Sequence, residues 1–343
     1  MTLDVAIVGG SFAGLTAALQ LGRASRTVTV FDTGRPRNAA SPAAHGVPGW
    51  DGRPPFEILA AIRKDAAAYP TVSFADAAVT GLSGDADAFR LTTAAGEVTA
   101  RRVILACGVS DRLPDIPRLA EGWGKWALHC PYCHGYEVKG RPLSILGRGP
   151  MALHMARMLR ADWSADVTLI AQDDLGPEAE GEARALGVTL RRSPLVRAVA
   201  EGDGARLTLA DGSDLFTAGL FLHGETSFAA PFVADLGLTM RPGPTGPYLA
   251  TSDFRVTSRA GLLAAGDITR PAALPRPPGP PAPSLPPAFS LVPPRAAFRA
   301  EATPPPPAGV VTPALADGVI AGTAAHQSLL WPERFPPFTE SSP

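Results

Sequence analysis

The chain has 343 residues, with 31 Lys and Arg against 32 Asp and Glu, a formal net charge of −1 and 18% charged residues. That length exceeds what one hydrophobic core usually supports, so at least two domains are expected. With charge balanced and no strongly basic stretch, the long-range field that draws proteins to nucleic acid is excluded, leaving small or mixed-charge partners.

Residues 1–21 are apolar enough to imitate a signal peptide, but Asp4 stands where a cationic segment belongs and glycines break the run. They read instead as strand, turn and helix. No other stretch reaches the roughly 18 consecutive apolar residues of a membrane span, so the expectation is a cytoplasmic protein without membrane contact. In that reducing compartment three cysteines, two of them in a CxxC, suit catalysis or metal binding better than a disulfide scaffold.

Residues 3–8 form an apolar run, followed by Gly9-Gly10-Ser11-Phe12-Ala13-Gly14 and the helical spacing of Leu15, Ala18 and Leu19. In such a dinucleotide turn Gly9 permits the bend and Gly14 lets helix and strand pack closely. The helix N-terminus then offers free N–H groups to a pyrophosphate. Ser11 takes the middle position usually held by glycine, a small departure. The next predicted strand, 27–31, ends in Asp32, 23 residues after Gly9, where an acid is expected to bind a ribose hydroxyl. The plain alternative is an ordinary βαβ turn without ligand.

Then comes His129-Cys130-Pro131-Tyr132-Cys133-His134-Gly135-Tyr136-Glu137. Two cysteines three apart on one helical turn can close a disulfide, and a helix N-terminus lowers a thiol pKa. Pro131 suits the first turn, where its missing N–H costs nothing. The same residues spell a CxxCH haem attachment, which normally follows export. They also hold donors for zinc, but immediate neighbours cannot all converge on one tetrahedral ion and no second CxxC exists, so no metal is expected. Inert buried thiols are the third rival. His134 is a candidate general acid or base; His326 is a weaker one, and Cys107, alone at the end of an apolar strand, reads as core.

A second unit follows: predicted strand 142–146, then Gly147-Arg148-Gly149-Pro150-Met151-Ala152 and a predicted helix over 152–159, with Gly147 138 residues after Gly9. Gly147 and Gly149 would bind a nicotinamide dinucleotide facing the first site. The next predicted strand, 167–170, ends in Ala171-Gln172-Asp173-Asp174. Two aspartates repel the 2′-phosphate of NADPH, whereas an acid accepts the 2′-hydroxyl of NADH. Use of NAD(P)H is therefore doubtful, and a fold kept after loss of nicotinamide binding stays open beside it.

Residues 271–307 hold 15 of the 37 prolines and predict an extended segment without helix or sheet. Three accounts stand: a loop that still lets the following helix, 312–327, dock; a ligand for a proline-binding domain; or divergence that weakens cofactor binding at the first dinucleotide site.

Together these motifs resemble the thioredoxin reductase family, nearest its dithiol oxidase-like branch. The likeness rests on Gly9 to Gly14 with Asp32, on the run 32–38 ending Arg37-Asn38, and on Ile104-Leu105-Ala106-Cys107-Gly108. It continues through the CxxC segment, Gly147 to Ala152, and Leu263-Ala264-Ala265-Gly266-Asp267. The resemblance implies an α/β protein of two Rossmann-like, three-layer (ββα) dinucleotide-binding domains. The FAD domain is split (1–112 and 240–343) by a CxxC-bearing NAD(P)-type domain (113–239). It also implies FAD held by Gly9, Ser11, Gly14, Asp32, Arg37, Asn38, Gly108, Gly266 and Asp267. Cys133 would face the flavin while Cys130 meets the substrate, a small dithiol or disulfide or a thioredoxin-like protein, and the chain would form a homodimer. His134, where the reductases carry aspartate, and Gln172 to Asp174, where they carry arginines, lean towards the oxidase branch, with oxygen as electron acceptor. An NAD(P)H-dependent thioredoxin reductase is the alternative, and a non-catalytic FAD-binding scaffold the alternative of another class.

Overall fold

The computed structural model describes residues 2–271 and 311–339; the proline-rich stretch beyond Pro271, with each account of it, lies outside them.

The first unit is built on a parallel sheet of five strands in the order Val72–Asp76, Val28–Asp32, Leu3–Val8, Gly96–Leu105 and Leu262–Ala264. Strand Gly96–Leu105 is long enough to serve two layers. Its C-terminal half pairs in parallel with the first strand, up to Val8 opposite Leu105. Its N-terminal half pairs antiparallel with Phe89–Thr93, which pairs in turn with Val79–Ser83. Phe89, Leu91, Val103 and Leu105 bury the space on that side.

On the other face lie the entry helix Phe12–Arg23 and the closing helix Val311–Leu330, whose Ala13, Ala17, Ala18, Ala321, Ala324 and Ala325 pack with Ile7 and Ile104. Small residues let the two helices approach: a Cβ at Gly318 would lie 2.3 Å from the Ala13 carbonyl oxygen. The closing helix is also held by polar contacts. Asp317 accepts the Gly266 N–H at 3.2 Å and the Arg255 guanidinium. At the other end buried Arg102 donates to Ser328 O at 2.7 Å and Oγ at 3.0 Å, supplying a cation where helix carbonyls are left over. The helix expected over 312–327 thus docks by contacts of its own.

The second unit repeats the design. Its parallel strands run in the order Thr189–Arg191, Val167–Ala171, Leu143–Gly147, Gly219–Leu222 and Ala127–Leu128. An antiparallel layer, Leu195–Glu201, Gly204–Leu209 and Asp214–Thr217, covers them. The helix after the second glycine turn is Gly149–Met158, three residues earlier than expected. Pro150 explains the shift, since its fixed φ and missing N–H suit a first turn. The chain is an α/β protein of two Rossmann-like units. Where it passes between them, Val109–Arg112 and Glu225–Phe228 pair antiparallel as a two-stranded ribbon.

Candidate active site

A cavity of about 1170 Å³ runs from the first glycine turn to the CxxC turn. Gly9, Ser11, Asp32, Arg37, Asn38, Gly108, Gly266 and Asp267 all line it, as do Cys130, Cys133 and His134. The backbone here leaves no room for side chains. A Cβ on Gly9 would lie 2.3 Å from Ala106 O, and one on Gly10 2.7 Å from Asp32 Cβ. Gly14 lies behind the wall, where a Cβ would meet Gly9 O at 1.9 Å. Ser11 caps the entry helix with extended backbone and without a side-chain cap hydrogen bond, so its hydroxyl is not taken up by the helix.

Arg37 joins distant parts of the chain. Its Nε and Nη2 donate to the two carboxylate oxygens of Asp111, each at 2.6 Å, and its Nη1 donates to Asp267 at 2.8 Å. Burial alone would lower its pKa, but the two carboxylates more than offset this and hold the guanidinium firmly charged. Beside it the buried Oδ1 of Asn38 has no hydrogen-bond partner among the described residues. A close-approach glycine cradle, a buried acceptor awaiting a donor and a cavity of this length fit FAD.

The CxxC turn is the short helix Pro131–His134, with Cys130 as its extended N-cap and Pro131 in the first turn. Cys130 is only 2% exposed, while Cys133 is half-buried. With both thiols reduced, the Cys133 thiol donates to Cys130, and the N–H groups of Cys133 and Tyr132 add to it, so the Cys130 pKa falls below the ordinary thiol value. Donation to Cys130 and burial push that of Cys133 well above it. The electron pair of a thiolate is therefore concentrated on Cys130.

His134 is pushed below the usual imidazole range by burial; Glu137 opposes this and His45 adds to it. His45, also on the cavity wall, lies 3.4 Å from Glu137 and 3.6 Å from Asp51. It thereby ties the CxxC turn to the first unit. Cys107 lines the cavity as well, but burial pushes its thiol up to about 12, so it stays protonated. His326 lies elsewhere, accepting from Arg26 Nε at 3.0 Å.

The second glycine turn opens on a separate cavity of about 610 Å³ lined by Arg148, Gln172, Asp173, Asp174, Glu180 and Arg192. Asp173 accepts the Gly149 N–H at 3.3 Å, the donor expected to meet a pyrophosphate. Arg192 is paired through both Nε and Nη2 with Glu180, which Arg184 also approaches.

Four residues of the main site were not singled out from the sequence: Gly10, His45, Asp111 and Glu137. Gly10 follows directly from the glycine turn, but the others gain their place from partners far along the chain. Among the described residues there is no cluster of three metal-binding side chains and no helix long and apolar enough to cross a membrane.

This arrangement agrees with the chain's relatives. Residues 3–283 match the pyridine nucleotide-disulphide oxidoreductase family. The thioredoxin reductase tcpT of Claviceps purpurea is 38% identical over 279 residues, covering 77% of this chain and 86% of that protein. The thioredoxin reductase sirT of Leptosphaeria maculans is 31% identical over 294 residues, 78% and 87% of the two chains. An oxidoreductase structure from Agrobacterium tumefaciens superposes with a TM-score of 0.81 at 34% identity, over 97% of this chain and all of that one. With the glycine cradle, the Arg37 junction and the cysteine pair facing one cavity, these likenesses make the chain a thioredoxin reductase-like, FAD-dependent member of the pyridine nucleotide-disulphide oxidoreductases.

Proposed function

We propose that this enzyme oxidises a small-molecule dithiol to a disulfide, through Cys130 and Cys133, with O2 as the final electron acceptor. The observation that carries this reading is the burial of Cys130 at 2% exposure on the wall of a cavity. A small dithiol can enter such a cavity, whereas a disulfide on a folded protein needs an exposed nucleophile.

In this account the FAD domain comprises 1–112 and 240–343, and the CxxC domain 113–239. Gly9 and the entry helix would receive the FAD pyrophosphate, with Gly14 behind them letting helix and strand pack closely, and Asp32 would bind a ribose hydroxyl. Ser11, Asn38, Gly108, Gly266 and Asp267 complete the FAD contacts, and Arg37 fixes Asp267. Bound FAD supplies a two-electron acceptor that O2 can reoxidise. Cys133 is the cysteine that passes electrons on and Cys130 the one that bonds to substrate. His134, uncharged at neutral pH through its burial, accepts a proton on the Cys133 side.

Two features of the second unit support oxygen over a nicotinamide. Asp173 occupies the N–H of Gly149, and Arg192, one of two arginines lining that cavity, is neutralised by Glu180. Reduction of a protein disulfide with NAD(P)H would need both groups released.

Oxygen uptake tests the reading. With dithiothreitol as substrate the FAD-loaded protein should consume one O2 and form one hydrogen peroxide per disulfide, with no NADPH present. Disulfide formation that needs another acceptor, or none without NADPH, would refute it.

A further inference from the structure

Two more imidazoles meet at the CxxC turn. His129 immediately precedes Cys130 and lines the same cavity. Its ring meets that of His223 edge-on, with centroids 4.8 Å apart and planes at 80°, and Trp123 flanks it at 6.5 Å. The sheet makes this contact. Ala127 and Leu128 pair in parallel with Leu220 and Phe221, so His129, just past the end of its strand, comes level with Leu222, and His223 follows one position later within reach of it.

Two rings this close disfavour a positive charge on both at once. Burial, and then the charges of His129, Arg37 and His154, push His223 down to about 3, against the opposing pull of Asp111. His223 therefore stays neutral, and His129 is the member of the pair that reaches the cavity. The fixed charge of Arg37 stands close enough to act on Cys130 and Cys133 as well. Cys130 thus has beside it one constant positive charge and one group that can gain and lose a proton.

We propose that His129, backed by His223, is a catalytic residue that takes the proton of the substrate thiol bonding to Cys130. This rests on the dithiol reading above and divides the work between two histidines, His129 on the Cys130 side and His134 on the Cys133 side. In the first step the substrate sulfur loses its proton to His129 and bonds to Cys130. The Cys130–Cys133 bond breaks and its electron pair leaves on Cys133. In the second, the other substrate sulfur releases its proton to water and attacks the first. The substrate disulfide closes, and Cys130 departs with the electron pair as the thiolate, while the proton held by His129 passes to Cys133, whose thiol is the harder of the two to ionise. Dithiol and enzyme disulfide become substrate disulfide, Cys130 thiolate, Cys133 thiol and one proton, so atoms and charge balance.

The test follows flavin reduction by dithiothreitol in the FAD-loaded full chain, without oxygen, across pH. Loss of a general base typically costs about 10²- to 10⁴-fold, so His129→Gln should slow reduction about 100-fold or more at neutral pH. The deficit should shrink as pH rises past the thiol value of about 8.5, because the substrate then arrives already ionised. His223→Phe, which keeps a ring edge against His129 but no nitrogen, should shift the midpoint of the pH profile with a smaller loss. A His129→Gln deficit that is constant with pH, or a rate within twofold of wild type throughout, would overturn the role of His129. Failure of the wild-type protein itself to be reduced by dithiothreitol would overturn the dithiol reading and this inference with it.

Discussion

Arg37 and Asp267, 230 residues apart in the chain, meet at 2.8 Å on the wall of the main cavity, and Asp111 grips the other edge of the same guanidinium. This junction joins the loop after the second strand, the chain between the two units and the residue after Gly266. It also sets one fixed positive charge near the cysteine pair. Removing one partner of such a buried pair leaves the other uncompensated, at a cost of about 3–5 kcal/mol. Arg37→Ala, which leaves both Asp111 and Asp267 without their cation, should destabilise the protein by about that amount in urea unfolding and loosen FAD, whereas an unchanged midpoint would contradict the junction's role.

The glycines divide into two classes with different outcomes. Gly14→Ala places a Cβ 1.9 Å from a backbone oxygen that cannot move without the first strand, so the variant should purify without flavin colour or fail to fold. Gly149 has φ +49° but open space around it. Gly149→Ala should therefore cost only about 1 kcal/mol of backbone strain and keep its FAD. Equal flavin retention in the two variants would show that the glycine cradle does not govern FAD binding.

Thiol reactivity should follow the local electrostatics. In the reduced protein Cys130 is lowered by the Cys133 thiol and nearby N–H groups, so it is ionised at a pH where a free cysteine is not. Alkylation by iodoacetamide, small enough to enter the cavity, should label Cys130 first, with a midpoint below about 8.5. Cys107, pushed up to about 12, should stay unlabelled near neutrality. Peptide mass spectrometry reads the order; prior labelling of Cys107 or Cys133 would reverse the assignment.

The closing helix offers an independent check on the packing. Gly318→Val would press a branched side chain into Ala13 O, 2.3 Å from its Cβ, and part the two helices. Overpacking of this kind typically costs about 1–3 kcal/mol. Because the entry helix carries the glycine cradle, FAD affinity should fall with stability, as measured by flavin fluorescence on dilution.

Much of this was legible in the sequence because it is local. The strand Leu3–Val8, the turn to Gly14 and the terminal Asp32 follow from periodicity and glycine spacing, and Pro131 marks the start of the CxxC helix. Helix ends are less so: Gly149–Met158 starts before the expected 152 because Pro150 belongs to the first helical turn and not to the glycine turn ahead of it. Contacts set by the tertiary fold were not legible. Asp111 is 74 residues from Arg37, and His223 reaches His129 only because two strands align in parallel. No local pattern distinguishes such residues from their neighbours.

The central claim is that electrons enter through the cysteine pair from a dithiol and not from a nicotinamide at the second unit. Flavin absorbance under anaerobic conditions tests it most directly. Dithiothreitol should bleach the bound flavin rapidly, Cys133→Ser should abolish that bleaching, and NADPH or NADH at the same concentration should leave the spectrum unchanged. Rapid bleaching by NADPH or NADH, or full bleaching by dithiothreitol in Cys133→Ser, would contradict it.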